Sequence, residues 1–277
     1  MALISIAMFD SKENNRFDMT MRTLASLAKT VDFNHHRLFV VDNGSDPELL
    51  QKVKDTQHEQ TYYGAYYAQM YGEMPPFMLI ENGENLGTAK AVNKGWAHRK
   101  EDEVCVKMDN DVVIHQAGWL DLIEEVFRRD PTTGICALKR KDLEERPNHP
   151  NTWFNSTLRM LPHEKGTEWI VVEEVAHCMG TCQGYNPRLL EKIGFLEQGD
   201  SVYGFDDSLA AARCNVAGFS NVFLPHIVID HIDPGGTEYT EWKVKIAGDH
   251  WQAYHIAVAE YRAGKRPLYC GPEGRPW

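Results

Sequence analysis

Asp109 and Asp111 stand one residue apart in an otherwise apolar run, Val-Cys-Val-Lys-Met-Asp-Asn-Asp-Val-Val-Ile over residues 104–114. Side chains at i and i+2 of a strand point the same way, so this spacing predicts two carboxylates aimed at one cation at the strand's end. A hard divalent ion takes such oxygen ligands, and the oxygens of a diphosphate complete its shell. An Asp-x-Asp pair by itself is common in solvated turns, and the strand in front of it supplies the weight. Buried parallel strands read as continuous apolar runs, and open α/β sheets bind ligands at the C-terminal ends of such strands. Asp42 occupies a similar place, after the run Arg37–Val41 and at the head of Asp-Asn-Gly-Ser-Asp-Pro, where a plain turn aspartate is the alternative.

The elements that must position these carboxylates alternate between strand and helix, the pattern of βαβ construction and a largely parallel sheet. Leu3–Met8 reads as a first strand, and Met19–Lys29 as a helix with Leu24, Leu27 and Ala28 on one face. Asp46-Pro47-Glu48 predicts a helix start with Asp46 as its cap. Tyr62, Tyr63, Tyr66 and Tyr67 fall at helical i, i+4 spacing, Pro75-Pro76 ends that segment, and Phe77–Glu81 resumes as a strand. Residues 82–96 read as a glycine turn opening a helix of small residues, which permits close approach of a ligand or a second backbone; its N-terminus favours anions. The segment ends neither as a Walker loop nor as a dinucleotide Gly-x-Gly-x-x-Gly fingerprint.

A chain of 277 residues with 43% hydrophobic content can bury a substantial core. The net charge of −11 disfavours broad binding to nucleic acid or anionic membranes. Lys139-Arg140-Lys141, flanked by Asp142, Glu144 and Glu145, reads as a solvated surface. Six scattered cysteines suggest buried reduced thiols rather than a disulfide framework, and His177, Cys178 and Cys182 lack a fourth partner for zinc. No apolar run is long enough to span a membrane, and the first residues read as a strand, so cytoplasmic residence is the default expectation.

Three pieces stand in order: Val40-Val41-Asp42-Asn43-Gly44-Ser45, Asn85-Leu86-Gly87 with Asn93 and Gly95, and Asp109-Asn110-Asp111. Together they resemble the nucleotide-sugar half of a family 2 type, GT-A fold glycosyltransferase. The resemblance covers roughly residues 1–235 and implies an α/β fold with a Rossmann-like, mostly parallel sheet flanked by helices. It divides the chain into a donor half (1–115), an acceptor half (116–235) and a C-terminal helical extension (236–277). It implies that Asp42 contacts the base or ribose of the donor, with Asn43 beside it. Asn85, Gly87, Lys90 and Asn93 would line the same pocket, Lys90 as a phosphate partner, with Asp109 and Asp111 at the diphosphate holding Mn2+ or Mg2+. His231, in Ile-Val-Ile-Asp-His-Ile-Asp-Pro, would be a third metal ligand, with His226 a weaker competitor.

The second half carries Gly180-Thr-Cys-Gln-Gly-Tyr185, then Tyr203-Gly-Phe-Asp206-Asp207. This resembles the family segment in which an acidic pair, usually Glu-Asp, opens a helix beside the acceptor. Asp207 would then be the general base of an inverting transfer, with Asp206 in the place of the usual Glu; a simple helix cap is the alternative. Residues 240–262 have helical composition, and a Gln-x-x-Arg-Trp motif is absent, which favours addition of one sugar per event. The expectation is an inverting, metal-dependent transferase using a nucleoside diphosphate sugar, UDP-linked, with an unidentified hydroxyl acceptor: a glycan, a protein, a metabolite or, less favoured by charge, modified DNA. The alternatives are a retaining transferase, a silent nucleotide- or carbohydrate-binding scaffold, and a nucleotidyltransferase, whose glycine-rich loop is missing after Leu3–Met8.

Overall fold

The computed structural model describes residues 1–58, 61–144, 156–162, 168–199 and 201–277. The first 115 residues run β1 (Ala2–Met8), α1 (Phe17–Thr30), β2 (Arg37–Asp42), α2 (Pro47–Asp55), α3 (Tyr62–Tyr71), β3 (Met78–Glu81), α4 (Thr88–Trp96), β4 (Val104–Met108) and β5 (Val112–Val113). The chain continues with α5 (Trp119–Arg129), β6 (Thr133–Arg140), α6 (Lys141–Glu144), β7 (Thr157–Met160), β8 (Val171–Val175), β9 (Cys182–Tyr185), α7 (Pro187–Ile193), α8 (Asp206–Val216) and β10 (Ser220–His231). Two helices close the chain, α9 (Glu238–Asp249) and α10 (Trp251–Arg262), where composition suggested one.

The strand order is β3-β2-β1-β4-β9-β6-β10-β8-β7, with β5 paired to β10. The parallel sheet expected from βαβ alternation is its first half, β3-β2-β1-β4, together with the β6–β10 pair. β9 runs antiparallel between β4 and β6, and β7 and β8 form an antiparallel edge. The strand order reverses beside β1, so the crevice beyond the C-terminal ends of β1 and β4 is the place where an open sheet of this kind receives a ligand.

Strand alternation builds a core on each face of the sheet. Ile4, Ile6, Val40, Val106 and Met108 pack with Met21, Leu24 and Leu27 of α1 and Ile123 and Val126 of α5. Leu3, Phe39, Cys105 and Ala137 pack with Val92 and Trp96 of α4, Leu189 of α7 and Ala210 of α8 on the other. Each fully buried Val, Leu, Ile, Phe or Met side chain among them contributes about 1.5–3 kcal/mol relative to exposure. The small residues of α4 serve backbone approach: a Cβ on Gly95 would collide with Ser5 of β1, whose hydroxyl donates to Val92 O at 3.0 Å.

All six cysteines are buried thiols. Among the described residues, the His/Cys/Asp/Glu group whose ligand atoms lie within 4.8 Å of one another is His35, His36 and Glu124; neither His177, Cys178 and Cys182 nor Asp109, Asp111 and His231 are drawn that close. Of the basic run, Lys141 is exposed as a solvated surface would have it, whereas Lys139 and Arg140 are half-buried and paired. Lys139 Nζ sits 2.9 Å from Glu173, and Arg140 forms a two-pronged pair with Asp142 at 3.0 and 2.7 Å; Glu145 lies outside the described residues. Asp46 caps α2 in position only, since its carboxylate accepts the Lys12 N–H at 2.8 Å instead of a helix N–H.

Candidate active site

A cleft of about 540 Å³ opens at the C-terminal ends of β1 and β4. Asn43, Asn85, Lys107, Asp109, Asp111, Arg140, Asp206, Asp207 and His231 line it, and α9 closes one side with Tyr239, Trp242 and Lys243. The residues after 235 are therefore part of the cleft wall.

The Asp109/Asp111 pair reaches the cleft, but not as two side chains of one strand. The chain leaves β4 after Met108, turns through 109–111 and re-enters as β5, which pairs with β10. The turn sends the two carboxylates to different partners. Asp111 Oδ2 meets the Arg16 guanidinium in an ion pair and lies 3.4 Å from His231 Nε2, while its Oδ1 is buried with no hydrogen-bond partner. Burial alone would raise the Asp111 pKa, but His231 and Arg16 outweigh it and hold the carboxyl below the usual range. Asp109 lies 3.3 Å from Lys107 Nζ. Burial, together with Asp111 and Asp206, pushes its pKa up against the pull of Lys107.

Two buried cations hold this arrangement. Arg16, just before α1, donates from Nη1 to Asp233 at 2.9 Å and from Nη2 to Asn110 at 3.3 Å, besides pairing Asp111. Lys107, only 4% exposed, stands 3.1 Å from Asp206 as well as near Asp109, so it joins a carboxylate from each half of the chain. Burial lowers its pKa and Asp109, Asp206 and Asp207 reverse that, leaving the ammonium well above its ordinary value. Neither residue belongs to a local motif. For Lys107 the signal was present: a lysine in the middle of an apolar strand has to find counter-charges.

Asp206 and Asp207 open α8 as expected. Asp207 does not cap its own helix in the simple way. Its Oδ2 accepts Gly180 N–H at 2.7 Å from the loop before β9 and lies 3.6 Å from His177 Nε2, while its Oδ1 accepts Ser208 N–H at 2.7 Å. Burial opposes ionisation, but His177, Lys107 and the Gly180 N–H hold the carboxyl below its ordinary range. The residue that aims the pair is Phe205, whose φ of 63° is a conformation that bulky residues rarely adopt. Tyr254 of α10 stacks on Phe205 at 4.6 Å and Trp251 of the same helix packs at 5.8 Å, so α10 holds the strained corner.

The remaining expected donor residues divide. Asn43 and Asn85 line the cleft and bond each other at 2.9 Å, and Asn43 Oδ1 accepts Leu86 N–H at 3.0 Å. Asp42 is buried, is not among the cleft-lining residues, and accepts Ser45 N–H at 3.0 Å, the turn arrangement weighed as its alternative. The α4 N-terminus does not await an anion. Gln198 Oε1 takes the Ala89 and Lys90 N–H groups at 3.0 and 3.3 Å, and Val202 O takes that of Thr88 at 3.1 Å. Gly87, at φ 94°, makes room for that cap, because a Cβ there would sit 2.5 Å from Gln198 Oε1. Lys90 and Asn93 are not among the cleft-lining residues, which corrects their placement in the donor pocket. Asn93 is fully buried, exchanging bonds with Leu196 N and O at 3.0 and 2.9 Å, because its helix face turns toward the body. His226 is likewise absent from the lining, whereas His231 is in it.

Asp10, at the end of β1, is a buried carboxyl outside every expectation. Thr20 and Asn110 donate to its Oδ1 at 2.9 and 3.2 Å, its Oδ2 has no partner, and burial pushes its pKa up to about 7. The folded chain therefore holds a proton that the unfolded chain has lost, and stability falls as pH rises from about 4 to 7. Asp10→Asn keeps the acceptor and fixes the site neutral. It is expected to raise stability at pH 8 by on the order of 3 kcal/mol, with no gain near pH 4, as read by thermal melts at both values.

No curated protein sequence matches the chain. The mannosyltransferase PcManGT from Pyrobaculum calidifontis, solved with GDP-Man and Mn2+, superposes with a TM-score of 0.58 at 16% identity, over 94% of this chain and 69% of that one. GalNAc-T7, solved with UDP, GalNAc and Mn2+, gives 0.55 at 12% identity, over 92% of this chain and 50% of that one. S. aureus TarS 1–349 in complex with UDP gives 0.51 at 14% identity, over 96% and 68%. These likenesses give the fold, that of the GT-A glycosyltransferases. The family profile described as glycosyl transferase family 2 matches residues 14–194, more than half of the chain, and the chain belongs to that family of glycosyltransferases.

Proposed function

We propose that this glycosyltransferase moves a sugar from a UDP-linked donor to an acceptor hydroxyl with inversion, one sugar per event. The observation that carries the reading is that Asp109, Asp111, Asp206 and Asp207 line one cleft, with Lys107 joining Asp109 at 3.3 Å to Asp206 at 3.1 Å. Two of the three structural neighbours named above were solved with UDP and one with GDP-Man, which favours UDP without excluding the guanine nucleotide from the test.

A divalent cation fits the donor side. Asp111 Oδ1 is buried with no hydrogen-bond partner although Oδ2 meets Arg16, and Asp109 and His231 line the same cleft, with the ligand atoms of the three not all within 4.8 Å of one another. Asp109 and Asp111 would hold Mn2+ or Mg2+, which when bound neutralises the departing nucleoside diphosphate. On the acceptor side, Asp207 is an anion at neutral pH, oriented by Gly180 N–H and His177, and would take the proton of the attacking hydroxyl. Lys107 keeps the facing carboxylates from repelling one another. Asn43 and Asn85 would contact the nucleoside, with Asp42 holding the loop that presents them. Among the described residues, no helix is long and apolar enough to cross a membrane.

The stereochemical part is tested by the anomeric proton of the product in NMR, formed from an α-linked UDP-sugar. A β-linked product is expected. An α-linked product would remove Asp207 from the role of general base and favour a retaining transferase.

A further inference from the structure

His231 is not oriented as a metal-binding histidine in this arrangement. Its Nδ1 receives an N–H from Arg140 Nη2 at 3.1 Å. Arginine has donors only, so Nδ1 must offer a lone pair and the ring proton must sit on Nε2, which faces Asp111 Oδ2 at 3.4 Å. A histidine that ligates a metal does the reverse: one nitrogen gives its lone pair to the ion and the other donates its N–H to an acceptor. With Arg140 on Nδ1, coordination through Nε2 would require a doubly deprotonated ring. Arg140 also lines the cleft, and its other partner, Asp142, lines the cleft beside it.

Resting on the donor site proposed above, we propose that Arg140 is a latch on His231, released when a diphosphate in the cleft draws the guanidinium away. The guanidinium is a preferred partner for phosphate oxygens, which can take both of its N–H prongs. Once it leaves, the ring exchanges its Nε2 proton with solvent and takes one at Nδ1, with no net change in protonation. Nε2 then presents a lone pair toward the Asp111 side of the cleft. Arg140 is thus a positioning residue, and the cleft completes its ion ligands only with donor present. This limits capture of a free ion by the empty enzyme.

The test uses the full chain with 15N-labelled imidazoles, the His231 signals being assigned by their loss in His231→Gln. Without metal, His231 is expected as the Nε2–H tautomer. With Mg2+ and UDP or GDP it is expected as Nδ1–H. In a parallel Mn2+ titration followed by electron paramagnetic resonance, Arg140→Gln is expected to tighten Mn2+ binding without nucleotide by roughly 5- to 10-fold, and to do so only when His231 is present. An Nδ1–H tautomer in the free protein would overturn the latch. So would an unchanged tautomer in spectra whose other signals show nucleotide binding, a failure that leaves the donor site standing. An equal gain from Arg140→Gln in the His231→Gln background would reduce Arg140 to a general charge effect and also overturn it. If neither nucleotide shifts any signal, the donor site fails and the latch loses its trigger with it.

Discussion

Asp207→Asn is expected to lower turnover by about 10²- to 10⁴-fold, the range for loss of a positioned general base, with nucleotide and metal binding intact. The structure supports this separation. Asp207 sits at the start of α8 and is tied to the loop before β9 through Gly180 N–H at 2.7 Å, whereas Asp111 belongs to a separate network around Arg16. Asparagine keeps one acceptor oxygen and the shape but cannot take a proton. The depressed folded-state pKa of Asp207 means that its ionised form stabilises the fold above the unfolded carboxylate value, and that this contribution is lost as pH falls through the folded one. The variant should therefore melt somewhat lower at neutral pH, and activity must be compared where both proteins are folded. Full activity in Asp207→Asn would leave the residue a structural brace between α8 and the β9 loop.

Arg16→Met is expected to be the most destabilising single change at the site, costing about 3–5 kcal/mol. It strands Asp111 and Asp233, 3% and 4% exposed, without their shared guanidinium. Lys243, 3.4 Å from Asp233, and His231, 3.4 Å from Asp111, remain but do not replace the two-way pairing. The cost should shrink as pH falls, because protonation relieves the stranded carboxylates. Mn2+ should restore more stability to the variant than to the parent, since the ion would meet an Asp111 short of positive charge. Thermal melts at pH 5 and 8, with and without Mn2+, check this. Equal melting temperatures for variant and parent at pH 8 would show that the buried network contributes nothing net.

The sequence made the sheet's parallel half legible because β1, β2 and β4 are buried on both faces and read as apolar runs, with helical periodicity between them. It was silent on β9, whose Cys-Gln-Gly-Tyr carries no alternation, although that strand joins the two halves of the sheet. Asp109, Asp111, Asp206 and Asp207, which line the cleft, stand out by spacing and resemblance, since acidic pairs at element ends are local features. Their partners were not. Arg16 meets Asp111 across 95 positions and Asp233 across 217, and no local pattern announces such a pairing. The anion site expected at α4 failed for the same reason, because its cap, Gln198, comes from about a hundred residues away. The wall formed by α9 escaped because none of its residues is buried, so its composition shows no strong apolar face.

The most direct test of the central claim is calorimetric titration of UDP, GDP and their common sugar conjugates, with and without Mn2+, into the parent chain and into Asp109→Asn plus Asp111→Asn. Metal-dependent binding of a uridine nucleotide that disappears in the double variant is the expected result. Absence of binding to any nucleotide with Mn2+ present would contradict a donor site in this cleft.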